Sequence, residues 1–482
     1  MQANFEKPKG WWLGLPYIHG EYTAVAKILK PGEKPRPGRS AVFCPEVLFQ
    51  APYWLESLNG CFDALADKGN LVVWVPDARY MEPADGAARM TLESLLAVFA
   101  DKPCKILEYD LIDSHVFLVV QKNLSLQEPD FSPWRKKEKH ALVMRTGAHG
   151  DAIMASSIFP ALKEQGYAIT VMTGKAGMEV LKHDPNVDSL LFLESDYQEN
   201  EAEFWDAWVP RFDKFINLTH SVEGELLKRR GSQDYYWADE QRRAICNESY
   251  LAYTHRMANV PGPYRMKFHP SAEEAAWAEA MAKKLGPFIL WSLKGSSVHK
   301  WWPHAPQAIC RLLDKTPHSI VLTGGEDAKD LEKEILDAVM AAHGDISRIR
   351  SMTAADSIRH PMALAAHAEL VIGPETGILS AAAFESVPKL VFLSHSTARN
   401  LTDDWVDATA LTPRTSCYPC HRLHNGFDFC SQDEKNLAAA CASSITVPQF
   451  LEAALKILEK PIPFAAVMQN NLRSETLKVA AE

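Results

Sequence analysis

Long apolar runs are missing from this sequence. It has no stretch of 18 apolar residues and no apolar segment near its N-terminus long enough for a signal peptide, so we expect a cytoplasmic protein without membrane-spanning helices. It also lacks a basic excess. Its formal net charge is -10, which argues against nucleic acid as its main partner. Cysteine is scarce, with nine among 482 residues, and in this setting we expect reduced thiols.

The chain does contain short apolar runs that alternate with helical stretches. One series lies within residues 141–275 and includes ALVMRTG, AITVMTG, SLLFLE and KFINLTH. A second lies within residues 276–465 and includes GPFILWSL, HSIVLTGG, AELVIGP and PKLVFLS. Such runs are typical of parallel strands buried on both faces. The pattern predicts an α/β fold with two Rossmann-like lobes around a cleft, and ligands beyond the carboxyl ends of the strands.

The first third of the chain predicts a smaller α/β domain over residues 1–125. SAVFCPEV and NLVVWVPD are strand candidates, and WLESLNGCFDALADKG between them has helical spacing up to its last glycine. CKILEYD and SHVFLVVQK predict an antiparallel pair of strands. Residues 126–140, with two prolines and a run of charges, predict a linker, and residues 466–482 a tail.

The first turn that could carry chemistry is Arg-Thr-Gly-Ala-His-Gly-Asp, which ends at Asp151. Its glycines permit a tight turn and a close approach of a ligand to the backbone. Asp151 stands where the following helix begins. It is either a helix N-cap or a general base that takes a proton from an acceptor hydroxyl. Pro160 is expected to kink that helix.

The second turn is KGSSVHKWWP, which follows the strand run FILWSL. The hydroxyls of Ser296 and Ser297 and the ammonium group of Lys300 suit a diphosphate, because they offer donors and positive charge to its oxygens. The alternative is a solvated surface loop, since lysines are common in such loops.

Two further turns follow strand runs. Gly373-Pro-Glu375-Thr376-Gly377 precedes a helix rich in small residues, a setting suited to an anion, and Glu375 could accept hydrogen bonds from a ribose or a sugar. The alternative is an ordinary helix-capping turn. Glu326, in Thr-Gly-Gly-Glu, could bond nucleoside hydroxyls or be a solvated turn glutamate.

Together these turns resemble glycosyltransferase family 9, the ADP-heptose–lipopolysaccharide heptosyltransferases. The matching segments are GAHGDAIMASSIFPALKEQG, KGSSVHKWWP and VIGPETGILSAAA, in that order. The resemblance covers about two thirds of the chain and implies a GT-B fold. It also implies an inverting, metal-independent transfer of a sugar, such as heptose from ADP-heptose, to a glycan or glycolipid acceptor such as lipopolysaccharide core. Such an enzyme would act in the cytoplasm, peripheral to the inner membrane surface.

The resemblance assigns roles to individual residues. Asp151 matches the catalytic base and Lys300 the lysine near the donor diphosphate. Thr376 and Gly377 match the phosphate-binding turn, and Glu326 a glutamate near the nucleoside. The sequence departs from the family at two positions: Glu375 stands where the family has an aspartate, and Ser380 stands where it has a histidine. Both departures concern the donor sugar and its nucleotide.

Two clusters leave alternatives open. Lys228, Arg229 and Arg230 could hold an anionic acceptor, or they could form a solvated charged face. Near the C-terminus stand four cysteines, which could bind a structural zinc ion, form a local disulfide or simply pack. These are Cys417, Cys420, Cys430 and Cys441. No cofactor is expected besides the nucleotide-sugar substrate.

The N-terminal third resembles the later half of a class I methyltransferase sheet. The resemblance rests on SAVFCPEVLFQAPYWLESLNGCFDALADKGNLVVWVPD, in which strand, helix, Lys-Gly turn, strand and Pro-Asp follow one another. The glycine-rich cofactor turn of such enzymes does not precede it. We therefore expect a truncated domain that serves as a scaffold or docking surface.

Three functions fit these features. The first is a family 9-like glycosyltransferase. The second is a catalytically inactive nucleotide-sugar-binding or scaffold protein, which the departures at Glu375 and Ser380 favour. The third is a different GT-B reaction such as nucleotide-sugar epimerisation, against which the separate basic cluster argues.

Overall fold

The computed structural model describes most of the chain, namely residues 38–45, 54–76, 90–112, 115–131, 139–193, 209, 212–219, 233–423, 430 and 438–459. The chain divides into two compact units. The first unit comprises residues 1–146, 162–178 and 185–216, and the second comprises residues 147–161, 179–184 and 217–482. Asp151 and the turn at 373–377 therefore belong to the same compact unit.

The first unit begins with a mixed sheet in the order β1-β2-β4-β3. Its strands are β1 (Arg39–Pro45), β2 (Leu65–Pro76), β3 (Cys104–Ile112) and β4 (His115–Lys122), accompanied by helices α1 (Trp54–Asp63) and α2 (Leu92–Val98). β3 and β4 pair antiparallel, which confirms that prediction. The longer helix expected after Trp54 is wrong, because Leu65 already pairs with Arg39 in the sheet and strand pairing overrides helical spacing.

A second sheet of the first unit has the order β7-β6-β5-β8. It contains β5 (Lys139–Met144), β6 (Tyr167–Thr173), β7 (Ser189–Phe192) and β8 (Lys214–Asn217). β6 pairs in parallel with both β5 and β7. Leu142 and Met144 of this sheet share one buried core with Leu71 and Val73 of the mixed sheet.

The helix that follows β5 along the chain is broken near Pro160, as expected. It consists of α3 (His149–Ala155), a 3-10 turn at residues 156–158 and α4 (Phe159–Glu164), and helix α5 (Lys175–Leu181) comes later, after β6. Pro160 has no N–H to offer the carbonyl group four residues earlier, that of Ser156. Instead the N–H of Phe159 donates to the carbonyl oxygen of Ser156, so the chain tightens just before the proline.

The second unit is built on a sheet in the order β11-β10-β9-β12-β13-β14, which we call the C-terminal sheet. All its strand pairs are parallel. The strands are β9 (Phe288–Ser292), β10 (Ser319–Gly324), β11 (Ile349–Thr353), β12 (Leu370–Pro374), β13 (Lys389–Phe392) and β14 (Ala408–Leu411). The chain runs from β9 outward to β11 and then returns to the other side of β9 for β12. The point between β9 and β12 is therefore a topological switch point.

Helices accompany these strands along the chain. They are α6 (Asp239–Cys246), α7 (Tyr250–Ala258), α8 (Ala272–Leu285), α9 (Ala305–Lys315), α10 (Lys329–His343), α11 (Arg359–Ala365), α12 (Gly377–Ala382), α13 (Ala398–Leu401), α14 (Ala440–Ser444) and α15 (Val447–Leu458). The predicted α/β class with parallel sheets is confirmed. Among the described residues, no helix combines the length and the apolar character needed to cross a bilayer.

An aromatic core fixes the loop that follows β9. Trp302 is 2% exposed, its ring stacks on Phe392 with centroids 4.4 Å apart, and it also packs against Trp291 and Phe450. Its indole N–H donates to the carbonyl oxygen of Ile445 at 2.9 Å. The buried ring therefore anchors the segment that carries Lys300.

Candidate functional site

The switch point of the C-terminal sheet is closed by contacts between the ends of β9 and β12. The hydroxyls of Ser292 and Thr376 are 2.9 Å apart and share a hydrogen bond. A Cβ atom on Gly373 would lie 2.7 Å from the carbonyl oxygen of Ser292, so only glycine permits this approach. Open α/β sheets bind their ligands in this position, outside the carboxyl ends of the strands.

The turn before Asp151 packs directly against the first residues of α12. A Cβ atom on Gly377 would lie 2.9 Å from Cβ of His149, and one on Gly150 would lie 3.1 Å from Oγ of Ser380. Glycine at both positions allows the two backbones to meet. The structure thus brings together two turns that are more than 200 residues apart in the sequence.

Asp151 is the third residue of α3, whose N-cap is Ala148. Asp151 is therefore not the N-cap that one interpretation of the sequence assigned. The backbone N–H of Ala148 donates to its Oδ2 at 2.8 Å, as an acidic third residue commonly does. Gly147 has a φ of +121°, and a Cβ atom there would lie 2.5 Å from the same oxygen. The turn thus holds a half-buried carboxylate in one orientation.

The loop after β9 forms a small closed turn that carries Lys300. The N–H of Gly295 donates to the carbonyl oxygen of Lys300 at 3.0 Å, and the lysine stem lies over Gly295. Ser296 is exposed, whereas Ser297 is buried. Lys294, the other lysine of the loop, is paired with Asp327 at 3.0 Å. Because the loop leaves the carboxyl end of β9, it lies at the same edge of the sheet as Thr376.

Glu375 is directed into the protein. It is 8% exposed, and its Oε2 lies 3.5 Å from Nε2 of His395, whose ring packs edge-on against His299. Burial and then the nearby charge of Glu375 raise the pKa of Tyr418 to about 12. A partner histidine for this carboxylate was not predicted, because His395 follows a different strand and no spacing links the two positions.

Glu326 is exposed in a 3-10 turn after β10 and pairs with Lys329 at 2.6 Å, which matches the solvated-turn alternative. The cluster at 228–230 lies outside the described residues. Of the arginines that follow, Arg242 pairs with Asp239 at 3.1 Å and Arg243 donates to the carbonyl oxygen of Pro419.

The C-terminal cysteines are close enough to influence one another. All four are free thiols. Burial raises the pKa of Cys420 and of Cys441, and the neighbouring thiols raise both further. Among the described residues, no group of three or more histidine, cysteine, aspartate or glutamate side chains is arranged to hold a metal ion. The zinc site stays a prediction, whereas the local disulfide is wrong, because all four side chains are free thiols.

Sequence reasoning also missed a contact between His149, two residues before Asp151, and Glu179. Nε2 of His149 lies 3.0 Å from Oε2 of Glu179, and the hydroxyl of Ser357 donates to the other carboxylate oxygen at 3.3 Å. The hydrogen bond from His149 is the main reason why the pKa of Glu179 lies below its usual range. The partners are distant in sequence, so no motif could have revealed them.

Comparison with known proteins gives a family and similar structures. The model of glycosyltransferase family 9 (heptosyltransferase) matches residues 232–420. The Escherichia coli ADP-heptose lipopolysaccharide heptosyltransferase II is similar in structure at 18% identity and a TM-score of 0.47, over 66% of this chain and 98% of that one. A family 9 glycosyltransferase from Veillonella parvula has 14% identity and a TM-score of 0.48, over 67% of this chain and 98% of that one.

A third similar structure is the dodecameric iron-containing glycosyltransferase TibC of enterotoxigenic Escherichia coli. It has 11% identity and a TM-score of 0.44, over 67% of this chain and 80% of that one. No curated protein matched the sequence. The family match includes the loop of Lys300 and the turn at 373–377, whereas Asp151 precedes it. Residues 232–420 thus match glycosyltransferase family 9, and the protein is a glycosyltransferase.

Proposed function

We propose that the protein is an inverting, metal-independent glycosyltransferase that moves a sugar from a nucleoside diphosphate to a hydroxyl group of a glycan or glycolipid. One observation carries this proposal: the turn that presents Asp151 packs against Gly377 and Ser380 at the switch point. A base for the acceptor and a turn suited to the donor diphosphate are thereby neighbours within one compact unit.

The proposed reaction is a single displacement at the anomeric carbon. The acceptor hydroxyl gives its proton to the carboxylate of Asp151, and its oxygen forms the new bond to the anomeric carbon. The bond between that carbon and the diphosphate oxygen breaks, and the diphosphate leaves with the electron pair. Because attack and departure occur on opposite faces, the configuration inverts. A positioned general base contributes a factor of about 100 to 10,000 in rate.

The remaining site residues serve the leaving group in this proposal. The backbone N–H groups of Thr376 and Gly377 and the hydroxyl of the exposed Ser296 donate to the diphosphate, whereas Ser297 is buried. The ammonium group of Lys300 offsets the charge that develops as the diphosphate departs. A fixed ammonium can do this without a metal ion.

The donor and acceptor follow from the family description. Since the family is that of the heptosyltransferases, ADP-heptose is the first donor to test, and lipopolysaccharide core is the first acceptor. Such a reaction would take place in the cytoplasm, at the inner membrane surface. Ser380 and the buried Glu375 both adjoin the donor turn, so other nucleotide sugars belong in the same experiment.

A second candidate is an inactive protein that binds nucleotide sugars. The inward direction of Glu375 favours it, because a carboxylate packed on His395 is withdrawn from the place where the family carries an aspartate. Such a protein would bind a nucleoside diphosphate and modify no acceptor.

Release of nucleoside diphosphate from a panel of ADP- and UDP-sugars tests both candidates, with mass spectrometry of acceptor glycans. We expect transfer from one donor, and a loss of about a thousandfold in Asp151→Asn, the size expected for a general base. Asp330→Asn, an exposed acid in the first turn of α10, is the matched control and should retain full activity.

Two results would reject the assignment. Undiminished transfer by Asp151→Asn would remove the proposed base. Binding of a nucleoside diphosphate, seen as a raised melting temperature, without any glycosylated product would favour the inactive candidate.

A further inference from the structure

His149 is a basic side chain in the turn before Asp151, where that turn meets the start of α12. The other ionisable side chains of the two turns are Arg145, Asp151 and Glu375. Cβ of His149 lies beside Gly377, at 2.9 Å from where a Cβ atom of that glycine would be. The backbone that carries the imidazole therefore lies next to the proposed diphosphate turn.

The imidazole is held by a glutamate that is ionised at neutral pH. Nε2 of His149 lies 3.0 Å from Oε2 of Glu179. The hydrogen bond from His149 lowers the pKa of Glu179, and bonds from Ser357 and from the backbone of Ile358 lower it further. The imidazole is thus hydrogen-bonded to a charged acceptor.

Glu179 is fixed in turn by Arg359, which is completely buried. The guanidinium donates to the backbone carbonyl oxygen of Glu179 at 2.9 Å, and grips the carboxylate of Glu274 through two bonds of 2.7 and 2.8 Å. The carboxylate that orients His149 is therefore part of a rigid frame, as a preorganised binding group requires.

We propose that His149 is a donor-binding residue that, as an imidazolium ion held by Glu179, contributes positive charge to the diphosphate at the Thr376–Gly377 turn. This rests on the proposed function of the same site. The carboxylate of Glu179 contacts the imidazole, the carboxylate of Asp151 stands two residues further along α3, and the guanidinium of Arg359 bonds the backbone of Glu179. Helix α12 contributes no ionisable side chain. A doubly charged diphosphate brought between these carboxylates needs a cation there.

Titration calorimetry with ADP and with UDP tests the proposal on the full-length protein. In His149→Gln the amide can still bond Glu179, because its nitrogen reaches the position of Nε2, but the charge is absent. We expect binding about tenfold weaker than in the unchanged protein near pH 6, the size of one charge-assisted hydrogen bond. The difference should vanish above about pH 8, where a histidine is neutral. The titration of the nucleotide itself cancels, because both proteins meet the same ligand.

Two further variants separate a charge effect from a structural one. Glu179→Gln should move the pH dependence of binding to lower pH, because the carboxylate that stabilises the imidazolium is gone. His343→Gln is the matched control, since the side chain of His343 is 25% exposed and also lies near a carboxylate, 3.7 Å from Asp314. It should bind as the unchanged protein does. In transfer assays His149→Gln should raise the donor KM and largely retain kcat, whereas Asp151→Asn should lower kcat.

The outcomes distinguish this inference from the proposed function. Equal nucleotide affinity of His149→Gln and the unchanged protein at every pH would overturn the role of His149 and leave the transferase assignment standing. A weakening that is the same at all pH values would show a structural role and would also overturn it. Failure of the unchanged protein to bind either nucleotide would contradict the proposed function, and this inference with it.

Discussion

The turn after β5 and the turn after β12 have similar sequences, but the first leaves its carboxylate partly exposed and the second buries it. Each combines glycines with an acidic residue just where a helix begins. Asp151 is half-buried and is steadied by the N–H of Ala148 in its own turn. Glu375 is 8% exposed and lies against His395 from another loop.

This difference separates a reactive carboxylate from one that shapes the protein. A carboxylate held at the surface by its own backbone remains accessible to an acceptor hydroxyl. A carboxylate taken out of water is costly unless it is paired, so a buried glutamate beside a histidine stabilises the turn that carries it. The direction of the side chain therefore decides the role, and the motif alone does not.

Of the changes to these two turns, replacement of Gly147 by alanine should have the largest effect on the transfer rate. The new methyl group would lie 2.5 Å from the Asp151 carboxylate, at a φ of +121°. We expect the carboxylate to be displaced and transfer to fall by about a hundredfold, the lower end for loss of a general base. The measurement is kcat for nucleoside diphosphate release.

Gly166→Ala is the control for backbone strain alone. Gly166 also has a positive φ, +81°, but nothing lies within 4 Å of its missing Cβ atom. It should lower stability and leave kcat nearly unchanged. A similar loss of kcat in both variants would show that the position of the Asp151 carboxylate is not what the turn protects.

Glu375→Gln should act mainly on stability. Losing the charge that faces His395 should lower the free energy of unfolding by about 1–3 kcal/mol, the range for a disrupted buried polar contact. His395→Asn should do the same, and the double variant should lose less than the sum, because the two side chains are coupled. Denaturant unfolding of all three measures this. A raised donor KM with unchanged stability would instead make Glu375 a second ligand-facing carboxylate.

Acid should have the smallest effect, and it should lower the melting temperature by protonating Glu179 and Glu274, the two glutamates to which Arg359 donates hydrogen bonds. The pKa values of Glu179 and Glu274 both lie below the ordinary value of 4.5. For Glu179 the main cause is the hydrogen bond from His149. For Glu274 burial raises the pKa, but the hydrogen bond from Arg359 helps to bring it below 4.5. A lowered pKa stabilises the folded state above the unfolded pKa, and this stability is lost as the pH falls through the folded value.

The melting temperature should therefore decline below about pH 4.5. Glu179→Gln should make that decline shallower, because one of the two carboxylates that must be protonated is gone. Asp330→Asn is the control, since it removes an exposed acid outside the frame and should leave the decline unchanged. A decline of the same steepness in Glu179→Gln and the unchanged protein would show that this glutamate takes no part in the frame.

The strands were largely predictable, because short apolar runs between turn residues leave few alternatives. The exceptions are β11 and β14, which the sequence analysis did not identify. β11 reads IRSMT, with exposed residues at its second and third positions, and both strands lie at the edges of the C-terminal sheet. Edge strands need no continuous apolar run, so their sequences carry little signal.

The candidate site was predictable as a set of turns but not as a set of contacts. Glycine spacing marked the turns of Asp151 and Thr376, because a close backbone approach requires glycine. The partners of Glu375 and His149 depend on tertiary packing, since His395 and Glu179 lie on other segments of the chain. The inward direction of Glu375 could not be inferred from the one methylene by which it exceeds aspartate.

A crystal structure of the protein with an unreactive nucleotide sugar would test the shared site of Asp151 and the Thr376–Gly377 turn most directly. We predict diphosphate oxygens within hydrogen-bond distance of the backbone N–H of Thr376 or Gly377, and the anomeric carbon on the side that faces the Asp151 carboxylate. A nucleotide sugar bound with its diphosphate away from this turn, or with its anomeric carbon out of reach of Asp151, would contradict the account.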